Sequence, residues 1–197
     1  MLKRVAAGLL LTVSLAWPQQ PASHDEITAK LVAAAVARAQ VRVRYTGEYV
    51  KIDYPNGDVP ADTGACTDEI IRIYRAIGVD LQKEVHEDMA KHLVDYPIHG
   101  RRTDTNIDHR RVPNLMVFFA KFGERLSTAR TAEFRPGDIV AWDLDGKHTH
   151  IGMVVDQKTL FGRYKVLHNI GAGPQIEDVL FDWKIIGHYR YSGTPQT

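Results

Sequence analysis

Arg135-Pro136-Gly137-Asp138-Ile139-Val140-Ala141-Trp142-Asp143-Leu144-Asp145-Gly146, followed after three intervening residues by His150-Ile151-Gly152-Met153-Val154-Val155-Asp156, is where the chain changes character. Pro136-Gly137-Asp138 is a turn signal and Asp145-Gly146 a hairpin tip. The apolar runs beside them, Ile139 to Leu144 and His150 to Asp156, read as strands. Further strands are expected at Tyr164 to His168 and Lys184 to Tyr191.

Upstream of Arg135 the period is helical. Ser23-x-x-Glu26 is a capping box before an apolar run from Ile27 to Gln40. Val41 to Tyr54 has strand-like and turn-like pieces, and Pro55-Asn56-Gly57 is a turn. Helix is expected to resume near Thr63. Ile70, Ile73, Tyr74 and Ile77 share one helical face behind Cys66, and Gly78 stands where a C-terminal cap belongs. Another helix is expected from Asp80 to about Leu93. A last one covers Leu115 to Phe122, opened by Val112-Pro113 and closed by Gly123. Between them, Tyr96 to Arg111 is a polar loop, long enough to suggest a functional role. Helices first and a largely antiparallel sheet second make an α+β domain with helices packed on one face of the sheet.

The 197 residues, 44% hydrophobic and 25% charged, suit one globular domain over 23–197. Twenty-five Lys and Arg against 24 Asp and Glu give no field that would gather nucleic acid, so no nucleic-acid partner is expected. At the N-terminus, Lys3 and Arg4 precede an apolar run from Val5 to Ala16 that ends in Ser14-Leu15-Ala16. This reads as a secretory signal, with residues 1–22 as signal and linker, and the run is too short for a membrane span. The mature chain is therefore expected to be exported, periplasmic or secreted, without a membrane span, and monomeric.

Export makes the single cysteine informative, because a lone thiol in an oxidising compartment has no intramolecular partner. Cys66 follows the turn Asp62-Thr63-Gly64 and stands in the first turn of its helix. Free backbone N–H groups and the positive end of the dipole favour a thiolate there, so a lowered pKa is expected. A thiolate needs a base, and His150 opens an apolar strand whose core does not call for an imidazole. Gly152 would let another backbone or a substrate come close. A third polar group usually orients the base, and His168 and Asn169 are both candidates. In an extended strand they point to opposite faces, so only one can meet His150. Metal hydrolysis fits poorly: Ala90 stands where a zinc-peptidase helix beginning at His86-Glu87 would need its second histidine, and no Cys-x-x-Cys exists. No metal and no cofactor are expected.

Pro136-Gly137-Asp138-Ile139-Val140, His150-Ile151-Gly152-Met153-Val154 and Val166-Leu167-His168 together resemble the NlpC-type papain-like peptidases. More closely, Cys66-Thr67-Asp68, Val85-His86-Glu87-Asp88-Met89, Asp104-Thr105-Asn106-Ile107-Asp108-His109-Arg110-Arg111 and Gly187-His188-Tyr189-Arg190-Tyr191 resemble bacterial domain-of-unknown-function family 1287, from about Ala33 to Tyr191. The resemblance implies a papain-like NlpC-type fold and a catalytic triad of Cys66, His150 and His168. It implies Tyr54 as the tyrosine lining the active site, and peptidoglycan or its peptide fragments as substrate. Asp68 departs from the NlpC pattern, which has a small residue there. Its charge would either oppose a low thiol pKa or hold a substrate cation. Asp104, Asp108, His109, Arg110 and Arg111 lie between nucleophile and base, where they could read a charged peptide. The expected activity is hydrolysis of an amide. The competing readings are a non-catalytic cell-envelope binding module and a thiol hydrolase of another amide or ester.

Overall fold

A computed structural model describes residues 23–97 and 102–193. The signal expected over 1–22 lies outside them. Helix α1, His24–Arg38, is capped by Ser23, whose Oγ accepts from the Glu26 N–H at 3.2 Å. Only half of the box forms, because the Glu26 carboxylate turns instead to Lys30 one turn on. Strands β1, Arg44–Tyr45, and β2, Thr63–Gly64, pair in parallel immediately before α2, Cys66–Ala76. The helix expected from Thr63 thus begins at Cys66, because Thr63 and Gly64 are extended. Gly78 has φ of +86°, and the Val79 N–H closes back on the Tyr74 carbonyl, which ends the helix as its position suggests. Helices α3, Leu81–Lys91, and α4, Val112–Phe122, follow. Asp80 caps the first, and Pro113 opens the second.

The sheet has six strands in the order β3-β8-β4-β5-β6-β7, antiparallel throughout. They are β3, Glu124–Arg125; β4, Ile139–Asp143; β5, Thr149–Lys158; β6, Tyr164–His168; β7, Gln175–Glu177; and β8, Lys184–Arg190. This is the α+β arrangement expected, with four helices and a largely antiparallel sheet.

Alternation along the strands divides the core. Ile139, Ala141, Ile151, Met153, Val155 and Leu167 face the helices, and pack against residues such as Leu31, Ile70 and Phe119. Val140, Trp142, Val154 and Val166 face the other way, under a cover that includes Phe134, Leu180 and Trp183. Because β5 stands at the centre of the helix-facing surface and α2 packs directly on it, the first residue of α2 is brought to the start of β5. That is where Cys66 and His150 lie.

Candidate functional site

Cys66 is the first helical residue of α2, and its place is fixed from both sides. Arg72, one and a half turns on, sends its guanidinium back to Asp58 and to the carbonyls of Val59, Pro60 and Thr63, which folds the approach to the cysteine around one cation. Asp68 reaches back to accept the Ala65 N–H at 2.7 Å, satisfying one of the free donors of the helix start. The same carboxylate takes a two-pronged contact from Arg110, at 2.7 and 3.1 Å. Asp68 is therefore a buried structural group with its charge already matched, which leaves nothing over for a substrate cation.

The N–H groups of Ile151, Thr67 and Cys66 lie against the sulfur and favour the thiolate, as a helix start should. Burial outweighs them, with a smaller push from the Asp68 carboxylate, and the thiol is raised to about 11. The lowered pKa expected from sequence does not hold for the free protein, because only 6% of Cys66 is exposed.

His150 stands opposite Trp142 in the β4–β5 register and shares its face of the sheet. Trp142 stacks on the ring at 5.7 Å, and Trp183 meets it edge-on at 5.9 Å. Burial, aided by the neighbouring charge of His168, lowers His150 to about 3, so it is a neutral imidazole in the resting state. Its Nε2 is 2.9 Å from His168 Nδ1, and His168 Nε2 is 3.0 Å from the Glu177 carboxylate on β7. Asn169 points away: its side-chain amide donates to the Gly64 carbonyl at 3.4 Å and accepts from the Gly171 N–H. The sulfur lies by the Ile151 N–H, one residue from His150, and among the described residues no hydrogen bond joins the thiol to the ring.

Gly152 lets this cluster form. A Cβ there would sit 2.7 Å from the Leu167 carbonyl oxygen and 3.2 Å from the His168 Cβ, so the backbone it admits is that of β6.

In front of Cys66 is a cleft of about 180 Å³, lined among others by Tyr45, Thr67, Arg110, Arg111 and Thr149. Tyr45 corrects the expectation for Tyr54. Tyr45 lies close enough to the thiol for the Cys66 charge to raise its phenol, after burial. Tyr54 instead stands edge-on to His86 at 5.2 Å and does not line the cleft. The polar run also divides. Asp108, His109 and Arg110 are buried: Asp108 contacts His86 at 2.9 Å, and His109, lowered to about 3 by burial with help from Arg110 and Arg75, keeps a buried Nδ1 without a partner. Asp104 accepts from Tyr49 at the surface. Arg111 is exposed at the N-cap of α4 on the cleft wall. Among the described residues no group of three metal-ligating side chains is assembled, and no helix is long and apolar enough to cross a membrane.

The family model for the domain of unknown function DUF1287 matches residues 32–191. The chain belongs to this family. It is 46% identical over 185 residues to the uncharacterized protein YijF of Escherichia coli (strain K12), covering 90% of each. The structure of NlpC1 from Trichomonas vaginalis is similar over 88% of this chain, with a TM-score of 0.44 and 14% identity, and the chain spans 46% of that protein's length. Among the motifs met in the sequence, those outside the Cys66 cluster turn out to hold the family fold together. Asp138 of the Pro-Gly-Asp turn binds Arg190 and His188 of the Gly-His-Tyr-Arg-Tyr strand, and Asp88 binds Lys121 and Tyr96.

Proposed function

We propose that this chain is an exported cysteine hydrolase of the papain-like type that cleaves an amide bond in peptidoglycan stem peptides. One observation carries the reading: the sole cysteine opens a helix against the first residues of the strand that holds buried His150, itself hydrogen-bonded to buried His168 and through it to Glu177 at the sheet edge. The secretory character of residues 1–22 and the NlpC-type motifs support the wall as the place of action.

Cys66 Sγ attacks the carbonyl carbon while His150 takes the thiol proton, so that charge separates only as the new C–S bond forms. The Cys66 N–H, against the sulfur, and the Tyr45 hydroxyl, on the same cleft, are the donors assigned to the developing oxyanion. Collapse breaks the C–N bond, and His150 returns its proton to the departing amine. Water, activated by the same imidazole, then releases the acyl group as a carboxylic acid. In the free protein the imidazole shares the Trp142 face of β5, turned from the helix side where the sulfur lies, so proton transfer requires ring and thiol to be brought together when substrate binds. Arg111, exposed on the cleft wall, is the group placed to meet a substrate carboxylate.

The test is digestion of purified peptidoglycan with the fragments identified by mass spectrometry. Wild-type protein should release fragments with a newly hydrolysed amide, and Cys66→Ala should release none while folding normally. Digestion that survives Cys66→Ala would end the reading. A second reading, an envelope-binding module without turnover, draws on the protonated and largely covered thiol. Wall binding by wild-type protein with no fragment released would favour it.

A further inference from the structure

The mechanism above uses one nitrogen of His150 and leaves open what makes it the right one. Glu177 lies on an edge strand with 44% of its side chain exposed, whereas His168 between it and His150 is almost wholly covered. An ionised carboxylate can only accept, so His168 Nε2 carries the ring hydrogen. Its Nδ1 is then a lone pair, and the 2.9 Å contact requires His150 to present Nε2–H. The nitrogen left bare on His150 is therefore Nδ1. The opposite order would set the lone pair of His168 Nε2 against the carboxylate. Ring flips that could evade this are restrained by Trp183, 5.9 Å from His150 and 6.2 Å from His168, and by Trp142 on the other side of His150. The charged or titratable groups that face His168 are Glu177, Asp182 and His150 itself. Of the two carboxylates, Glu177 is the one in hydrogen-bond contact.

We propose that Glu177 is a positioning residue that sets, through His168, which ring nitrogen of His150 is free to accept a proton. What the free nitrogen is for rests on the hydrolase reading. The tautomer itself does not. Because Glu177 is half-exposed on the three-residue β7, it can be replaced without opening the core.

The experiment is nitrogen-15 NMR of the histidine ring nitrogens in the full mature chain near pH 7.5, where bare and hydrogen-bearing nitrogens resonate far apart. Wild-type protein should show both His150 and His168 as Nε2–H. Glu177→Lys replaces an acceptor with a donor and should invert both rings to Nδ1–H, while Glu177→Ala should give mixed populations in both. Wild-type signals unchanged in both variants, or His168 found as Nδ1–H in the wild type, would overturn the proposal. Wall digestion by the wild type separates the two ideas. Inversion by Glu177→Lys in a protein that releases no fragments supports the relay and sinks the hydrolase. Fragment release with unmoved tautomers sinks the relay and leaves the hydrolase standing.

Discussion

At the scale of single residues, the site holds a protonated thiol and a neutral imidazole on the two faces of β5. Burial holds Cys66 up at about 11 and His150 down at about 3. The thiol keeps its proton below about 11 and the imidazole lacks one above about 3, so the neutral pair that the proposed mechanism starts from is populated across the whole interval. The expected kcat/KM profile is flat from pH 5 to pH 9, about the range a rate measurement can cover. An acid limb near the ordinary histidine value would show instead that His150 titrates in contact with water. Cys66, His150 and the two candidate orienting residues were all visible in the sequence, because a lone cysteine at a helix start and a histidine opening an apolar strand are local patterns. The thiol pKa was not. The N–H groups that sequence predicts are there, but desolvation depends on what the rest of the chain stacks over the sulfur. Tyr45 was hidden for a similar reason, since a two-residue parallel pairing with Thr63 and Gly64 leaves no periodic trace.

Among elements, the contact between β5 and β6 decides whether His150 and His168 meet. Gly152→Ala would drive a methyl group into the Leu167 carbonyl and toward His168. The strands must part, at a cost of about 1–3 kcal/mol, the usual scale for overpacking. Thermal unfolding should show the loss, and the His150–His168 hydrogen bond should weaken in the same nitrogen-15 spectra. Unchanged stability together with an intact ring contact would mean that β6 is held by something other than this close approach. The strands themselves were legible, with β6 as expected and β4, β5 and β8 within one or two residues, because alternation and turn residues are short-range signals. Three-residue β7 was not, being too short to alternate, and Glu177 was missed with it. Nor did the sequence reveal that Asp138 and Arg190, 52 positions apart, are one ion pair. The turn and the strand could each be read, whereas their union is tertiary.

For the whole molecule, buried neutral histidines set the response to acid. His109 and His150 each fall from an ordinary value of 6.5 to about 3 on folding. Below pH 6.5 the unfolded chain binds protons that the folded chain refuses, so stability is complete above that value and drains away as pH falls toward 3. Each ring removes up to about 1.4 kcal/mol per pH unit. Urea unfolding at pH 7, 6 and 5 should show a progressive fall, and His109→Asn should cut its slope by about half, leaving the share of His150. A stability that stays level over this range would mean that water reaches both rings.

The sheet also ends on both sides in very short strands, β3 with two residues and β7 with three, and these carry Glu124, Arg125 and Glu177. A long bare edge is a template onto which another chain can add its own strand, and stubs bearing charge offer few such rungs. The placement of Glu177 therefore has a second consequence. The carboxylate that contacts His168 also helps keep neighbouring copies from joining edge to edge into aggregates.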